Sequence, residues 1–141
     1  MKIVLETVNG DKTVVKGIVS AVLTQTADVA CDSLSIKLIG EKVIDEVKRV
    51  YAYKNEKLIF NGYCDCQRVT ADENGAQTYI YARSSACLLV DNDAFAYTYN
   101  RPSAQSLFNA YARQFGFVSK LDDICTFKKY EASSGSSLYG A

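Results

Sequence analysis

Alternating apolar and polar residues from the amino terminus to Arg83 predict a run of antiparallel β-strands. Val, Ile, Leu, Thr and Tyr dominate this part, and short breaks of Asn, Gly, Asp or Glu interrupt it, as expected for strands joined by tight turns. The predicted strands are Lys2 to Val8, Thr13 to Thr24, Asp32 to Ile39, Val47 to Lys54, Lys57 to Gln67 and Gln77 to Arg83. With no room for crossover helices between them, they favour a small antiparallel β-barrel or a strongly twisted, partly closed sheet.

Asn and Gly mark the predicted turns, because both tolerate the positive φ that hairpins require. Asn9-Gly10 and Asn55-Glu56 are predicted as hairpin turns, and Asn61-Gly62 as a bulge inside a strand that continues to alternate. Asn74-Gly75 is predicted as a two-residue loop. This loop sets a register that pairs Thr70 with Tyr79, Val69 with Ile80 and Arg68 with Tyr81.

After Arg83 the pattern becomes helical. Ser84 to Val90 is predicted as a short helix stopped by Asp91-Asn92, and Ser103 as the cap of a longer helix that ends at Gly116. The apolar face of the longer helix consists of Leu107, Phe108, Tyr111, Ala112 and Phe115.

The end of the sequence predicts a short strand, Ile124 to Phe127, and then, from Glu131 to Ala141, the cap and first turn of another helix. Because one turn of helix is not stable alone, we expect the chain to be a fragment or the product of a truncated reading frame. The predicted fold class is mainly β with α (α+β): a small antiparallel β-barrel, residues 1–83, followed by a partial helical or α/β domain, residues 84–141, that is the front part of a larger domain.

Composition then removes several classes of function. Sixteen Lys and Arg balance sixteen Asp and Glu, so no global positive field favours nucleic acid or an anionic membrane as a partner. The absence of His removes Ser-His-Asp and Cys-His catalysis and the usual general base near neutral pH. The longest uncharged stretches, Gly17 to Ala27 and Pro102 to Ala112, are far shorter than the roughly 20 apolar residues of a membrane span. Glu6 interrupts any signal peptide, so cytoplasmic synthesis is expected.

The five cysteines, an odd and dispersed number, suggest reduced thiols rather than a disulfide framework. Cys64-Asp65-Cys66 is the best metal candidate, although zinc knuckles usually leave two to four residues between thiolates. The alternative is that both are small apolar side chains packed in the barrel.

Other polar clusters fit structural roles better than chemistry. Asp91-Asn92-Asp93 lacks the later Gly and Glu of a calcium loop, and the serine-rich Ser133 to Ser137 lacks the Gly-Lys-Ser/Thr ending of a P-loop. We therefore expect no catalytic residue, cofactor or metal. The tyrosines near the change from β to α are candidates for either core packing or an interface.

The order of several segments resembles the amino-terminal part of contractile-tail phage baseplate hub proteins, the late control D-like tail protein family, which is related to the hub portion of type VI secretion spike proteins. The segments that carry the resemblance are Leu58-Ile59-Phe60-Asn61-Gly62-Tyr63, Tyr79-Ile80-Tyr81-Ala82-Arg83-Ser84, Leu88-Leu89-Val90-Asp91-Asn92-Asp93-Ala94, Tyr99-Asn100-Arg101-Pro102-Ser103, Leu107-Phe108, Phe115-Gly116-Phe117 and Gly135-Ser136-Ser137-Leu138-Tyr139.

The resemblance implies a structural, non-catalytic protein that joins tail tube and central spike in the virion tail and is assembled in the bacterial cytoplasm. It further implies a homotrimer for the full-length protein. The runner-up is the hub domain of a type VI or related contractile injection spike protein, and a small Cys-rich metal or redox domain is a third hypothesis. The predicted interface residues are Phe60, Tyr63, Tyr79, Tyr81, Tyr97 and Tyr99.

Overall fold

The computed structural model describes residues 1–40, 44–73, 75–120 and 125–138. The chain divides into two compact units, Met1–Ala86 and Cys87–Ala141. No helix in the described ranges is long and apolar enough to cross a membrane.

The first unit contains one antiparallel seven-stranded sheet, which confirms the predicted mainly β architecture. Its strands are β1 (Lys2–Thr7), β2 (Lys12–Val14), β3 (Ile18–Thr24), β4 (Ser33–Gly40), β5 (Val47–Lys54), β6 (Lys57–Asp72) and β7 (Gly75–Ser84). They lie in the order β2-β1-β5-β6-β7-β4-β3. Because β2 and β3 are the terminal strands and do not pair in the described part of the chain, the predicted closure into a barrel is not confirmed.

The hydrophobic core lies on one face of this sheet. Alternate residues of each long strand point to it and are buried, among them Ile3, Leu5, Leu34, Ile36, Leu38, Val50, Ala52, Phe60, Ile80 and Ala82. Burying one such large aliphatic side chain contributes roughly 1.5–3 kcal/mol. The described residues of this unit include no helix that could cover the face, so the sheet must curl over its own core.

A cleft of about 770 Å³ shows this curl. Its lining includes Leu5 and Val14 from one end of the sheet and Leu38 and Ile39 from the other. In a flat sheet, strands this far apart in the order could not line one cleft, because neighbouring strands are about 4.8 Å apart.

The predicted strand from Thr13 to Thr24 is in fact two strands at opposite ends of the sheet. The chain bends at Gly17, whose φ is +72° and whose carbonyl accepts a 2.9 Å hydrogen bond from Ile39 N. A Cβ atom on residue 17 would lie 2.0 Å from the Ile39 carbonyl oxygen. Only glycine combines this φ with so close an approach. The bend lets the chain leave β2, which lies beside β1, and continue as β3, which lies beside β4.

Strand β6 continues past the predicted end at Gln67 to Asp72. The strand continues through Asn61-Gly62 as predicted, but the predicted bulge or bend there is wrong, since both residues pair regularly with β5. The register shifts occur elsewhere in β6. Ile59 has no pairing partner between Ala52 and Tyr53 of β5, and Asp65 has none in β7 because Cys64 and Cys66 pair with consecutive β7 residues. Bulges increase local twist and help such a long strand to follow a curled sheet.

The hairpin between β6 and β7 is displaced by two residues from the predicted register. Arg68 pairs with Tyr79 and Asp72 with Gly75, so the loop is one position earlier on each side than predicted; Asn74 itself lies outside the described residues. A shift of two leaves every side chain on its predicted face.

The other two predicted hairpins are confirmed. Gly10 N donates to Thr7 O at 3.0 Å in the first turn, and Lys54 pairs with Lys57 across the second. Asn55 and Glu56 have φ of 49° and 62°, as a type I′ turn requires.

The second unit contains a short helix α1 (Cys87–Val90), strand β8 (Tyr97–Asn100), helix α2 (Ala104–Tyr111), a 3₁₀ turn (Arg113–Phe115) and strand β9 (Lys129–Ala132). The predicted cap is confirmed, because Ser106 N donates to Ser103 Oγ at 3.1 Å. All five residues of the predicted apolar face are buried or half-buried, and Gly116 follows the 3₁₀ turn. Asn92 Nδ2 donates to Leu88 O at 2.6 Å where α1 stops.

The helix predicted for the carboxy-terminal segment is not formed where it was expected to start. Lys129–Ala132 forms β9, which pairs antiparallel with β8, so the predicted start of a helix at Glu131 is wrong. Ser137 then bridges to Asp93, and Thr126 bridges to Ser103. Of the predicted strand from Ile124, the first residue lies outside the described part of the chain.

We predict that Gly62→Ala lowers the free energy of unfolding by about 3 kcal/mol. The added Cβ would lie 2.2 Å from the Arg83 carbonyl oxygen and 2.6 Å from Phe60 Cζ, inside a buried ladder that cannot move aside. Urea denaturation measures the change. Gly10→Ala is the control: its Cβ meets no atom within 4 Å, so only the positive φ is strained, at a cost of about 1 kcal/mol. Equal losses for the two variants would contradict the close approach at Gly62.

We predict that Glu56→Gly raises the free energy of unfolding by about 1 kcal/mol, because Glu at φ 62° is in the left-handed region that disfavours a Cβ. Thermal denaturation measures the gain. Asn55→Gly, at the neighbouring position with φ 49°, should gain less, because Asn tolerates this conformation. A loss of stability in Glu56→Gly would show that the turn is not type I′.

Candidate interaction surfaces

The structure places the six predicted interface residues in different environments. Phe60 is 3% exposed and belongs to the core of the first unit, so its side chain presents almost no surface in this chain. Tyr63, Tyr79 and Tyr81 are half-buried on the side of the sheet opposite the core. In the second unit Tyr97 is 60% exposed and Tyr99 is half-buried. An interface role for these five tyrosines stays a prediction.

A charged and aromatic row crosses the outward side of β2, β1, β5 and β6. Register places Lys12 opposite Glu6, Glu6 opposite Arg49 and Arg49 opposite Tyr63. The Arg49 guanidinium lies over the Tyr63 ring, 4.6 Å from its centroid, and 5.7 Å from that of Tyr51. Such cation–π contacts contribute about 0.5–1 kcal/mol at exposed sites. The row is therefore held in place by cross-strand contacts rather than by a loop.

Glu6 is the electrostatic centre of this row. Tyr51 OH donates to Glu6 Oε2 at 2.7 Å, and Lys12 Nζ lies 3.3 Å from the same oxygen. The hydrogen bond from Tyr51, followed by the nearby Lys12, holds the pKa of Glu6 below its usual value. Burial and the Glu6 carboxylate raise the pKa of Tyr51, while Glu6 raises the pKa of Lys12. Near neutral pH Glu6 therefore stays ionised, Lys12 keeps its positive charge, and Tyr51 keeps its proton and is neutral. The opposite charges of Glu6 and Lys12 compensate each other.

Residues Glu6, Lys12, Arg49 and Tyr51 were missed by the sequence reasoning. Each is an ordinary strand residue, and only the register of strands distant in sequence brings the four together. Knowing that β1 pairs with β5 would have placed Glu6 next to Arg49 and Tyr51.

A second surface on the outward side is locally positive. Arg68 on β6 pairs with Tyr79 on β7, which pairs with Lys37 on β4. Together with Thr70 and Gln77 they line a shallow groove of about 410 Å³. Arg68 and Lys37 are exposed, and neither forms an ion pair with another described residue. The groove suits an acidic partner, although the chain as a whole is neutral.

Cys64 and Cys66 point to opposite faces of the sheet. Cys64 pairs with buried Ala82, whereas Cys66 pairs with half-exposed Tyr81, because the bulge at Asp65 changes the alternation. Burial raises the pKa of the Cys64 thiol, which disfavours the thiolate that a metal needs. None of the five cysteines forms a disulfide, and the described residues contain no cluster of three potential metal ligands. The two thiols therefore do not form a common site.

The second unit is organised around four tyrosine rings. Tyr97 and Tyr99 on β8 are 4.6 Å apart between centroids, and Tyr99, Tyr111 on α2 and Tyr130 on β9 lie 6.1 to 6.3 Å from one another. These edge-on and tilted contacts are favourable for aromatic pairs. Phe95, just before β8, is 89% exposed. The cluster thus has a packed side and an aromatic margin open to solvent.

The hydroxyl of Tyr111 in this tyrosine cluster is buried. Its oxygen is inaccessible and makes no hydrogen bond of acceptable geometry, although Tyr99 lies close enough to contribute to its titration. Burial, and secondarily Tyr99, raises the pKa of Tyr111 to about 12. The side chain thus packs its ring in the cluster and keeps its hydroxyl away from solvent.

Comparison with solved structures shows which proteins share this fold. The 43 kDa tail protein of prophage MuSo2 from Shewanella oneidensis matches with a TM-score of 0.75 and 15% identity, over 99% of this chain and 46% of that protein. A tail protein from Neisseria meningitidis MC58 matches with a TM-score of 0.71 and 13% identity, over 98% and 42%. The prophage tail protein gp18 from Listeria monocytogenes EGD-e matches with a TM-score of 0.64 and 10% identity, over 97% and 42%.

At these identities the likeness is one of fold, and the chain spans less than half the length of each of these proteins. No protein-family model and no curated protein matches the chain. The chain therefore shares the fold of these phage tail proteins, as the resemblance of the segments between Leu58 and Phe117 implied. This likeness rests on structural similarity and not on sequence similarity.

We predict that Tyr111→Phe leaves stability at pH 7 unchanged or raises it by up to about 1 kcal/mol, because it removes a buried hydroxyl without a partner. In the wild type, the folded chain keeps the Tyr111 proton up to a pKa of about 12, while the unfolded chain loses it near 10.0. The free energy of unfolding of the wild type should therefore fall as pH rises from about 10 towards 12. The variant lacks the titrating hydroxyl and should not show this part of the fall.

Urea denaturation between pH 7 and pH 11.5 measures both effects. Tyr51→Phe is the matched control, since the same change there removes a hydroxyl that donates to Glu6, and it should lower stability at pH 7. A large loss in Tyr111→Phe at pH 7 would mean that its hydroxyl has a partner after all.

Proposed function

We propose that this chain is part of a structural protein of a phage or prophage tail, located at the baseplate hub between tail tube and central spike. The observation that carries the proposal is the shared fold over 97% or more of the chain with three proteins described as tail proteins. The resemblance to the late control D-like family supports the more specific placement at the hub.

The chemistry of the surfaces supports a role in binding other proteins. The outward tyrosines and the arginines beside them are of the types in which protein interfaces are enriched, and the charged groups around Glu6 suit the polar rim of an interface. A hub has to join a six-fold tube to a three-fold spike, which it can do through interfaces of closed symmetry alone. The proposed role requires no catalysis, and no nucleophile in the sequence has a recognisable base.

For the full-length protein we propose a homotrimer in the virion tail, assembled in the bacterial cytoplasm, with tail tube and spike proteins as partners. Residues 1–83 would act as the barrel domain of the hub and residues 84–141 as the front part of its second domain. Tyr63, Tyr79, Tyr81, Tyr97 and Tyr99 are the residues that we propose for contacts with neighbouring subunits.

The alternative is the hub domain of a type VI or related contractile injection spike protein, which differs in the spike domain that comes after the hub. Neighbouring genes that encode either tail proteins or secretion-system components discriminate between them. A metal or redox domain is disfavoured, because Cys64 and Cys66 project to opposite faces.

The full-length gene product tests the proposal. We expect light scattering after gel filtration to give the mass of a trimer, and affinity purification to recover tail tube and spike proteins. Tyr97→Ala should weaken this recovery by about tenfold, as loss of an interface contact of about 1.4 kcal/mol would. Val118→Ala, at a residue 85% exposed in the same unit, is the control and should not. A full-length monomer that recovers no tail protein would contradict the proposed function.

A further inference from the structure

The two terminal strands of the seven-stranded sheet differ in how their free edges are protected. Strand β2 is three residues long, with Lys12 in it and Lys16 just after it. Strand β3 is seven residues long, and the chain carries no charge and no proline from Gly17 to Ala27. Natural proteins usually protect an edge with charges, proline or short length. On β3 only a bulge at Val19 is present, so this edge is open to pairing with another strand.

The hydrogen bonds of β4 identify which backbone groups of β3 are free. Ser84 N donates to Asp32 O, and Ile39 N donates to Gly17 O. The backbone amide and carbonyl of Ile39, and of every second residue before it on β4, therefore point towards β3. These β4 residues pair with Ser20, Val22 and Thr24. Since strand residues alternate in direction, Ala21 and Leu23 point their amides and carbonyls outward. In the described part of the chain, no hydrogen bond outside the ladder with β4 involves either residue.

The side chains of β3 are incompletely covered as well. Ala21 and Leu23 face the core but remain half-buried, so the margin of the core is open beside them. Val22, on the outward side, is 58% exposed. A neighbouring strand with small apolar side chains would cover both.

We propose that β3 pairs antiparallel with β3 of a second copy of this chain, around a two-fold axis at Val22. This register pairs Ala21 with Leu23, Ser20 with Thr24, and Val22 with Val22 of the second copy. Ala21 and Leu23 then form the hydrogen-bonded pairs with the amides and carbonyls that point outward, and the two Val22 side chains meet in the closer, non-hydrogen-bonded position.

Charge complementarity favours a second copy as the occupant. Lys16 lies before β3 and Asp28 after it, with no charge between them. Antiparallel pairing brings the Gly17 end of one β3, which Lys16 precedes across the bend, towards the end of the other β3 that leads to Asp28, twice by symmetry. An isologous pair of this kind is closed by two copies, so it is a contact separate from the three-fold assembly proposed above and does not depend on it.

Sedimentation of the 141-residue chain tests the pairing. We expect a concentration-dependent dimer whose dissociation constant rises at least roughly 100-fold in Val22→Lys, because two ammonium groups would face each other. Val14→Lys, at a 49% exposed valine on β2, is the control and should leave the dimer unchanged. Circular dichroism checks that both variants fold. A monomeric wild type, or an oligomer that Val22→Lys does not affect, would overturn the proposal.

Oxidative cross-linking tests the register separately. The Cα atoms of a non-hydrogen-bonded antiparallel pair are about 4.5 Å apart, which a disulfide can bridge. Val22→Cys should therefore give a linkage between the two introduced thiols, identified by peptide mapping. Ser20→Cys, which would face Thr24 of the other copy, should not link to itself. A Ser20→Cys linkage in place of the Val22→Cys linkage would overturn the two-fold axis at Val22.

Discussion

The first unit has to cover the apolar face of its sheet with the sheet itself. Its core residues come from strands that lie far apart in the strand order, such as Ile3 on β1 and Leu34 on β4. In the described residues no helix of this unit lies over them. Curling is therefore required if the hydrophobic free energy of this face is to be gained. The bend at Gly17, the close approach at Gly62 and the two bulges of β6 all follow from that requirement.

Because the interior is filled by the sheet, recognition is left to its outward side and its edges. Tyrosines, arginines and lysines stand there in rows set by cross-strand register, and Glu6 and Asp65 compensate part of the positive charge. The two edges are unequal, since β2 is short and charged while β3 is longer and neutral. A protein whose role is to contact other subunits can be built in this way without a deep polar site.

The second unit packs its interior with aromatic rings. Its buried apolar residues are small, such as Ala94, Ala112 and Ala132. The rings of Tyr99, Tyr111 and Tyr130 contact one another between β8, α2 and β9. Each ring buries large apolar area but carries a hydroxyl that needs a partner. Tyr111 accordingly packs its ring in the cluster while its hydroxyl is shielded from solvent.

The features that could be predicted from the sequence are local: the strands, the hairpin turns at Asn9-Gly10 and Asn55-Glu56, and the Ser103 cap depend on residues within a few positions of each other. Which side of the sheet each residue faces was also predictable for β7 and for the part of β6 after the Asp65 bulge, because a register error of two preserves it. The remaining features required the tertiary structure. The division of Thr13 to Thr24 depends on Gly17 meeting Ile39, the separation of Cys64 from Cys66 on a bulge paired with β7, and the pairing of β9 with β8 on residues about thirty positions apart. Burial of Phe60 and the row around Glu6 arise in the same way. These contacts join segments distant in the chain, and no local pattern encodes the energy of a contact whose partner is elsewhere.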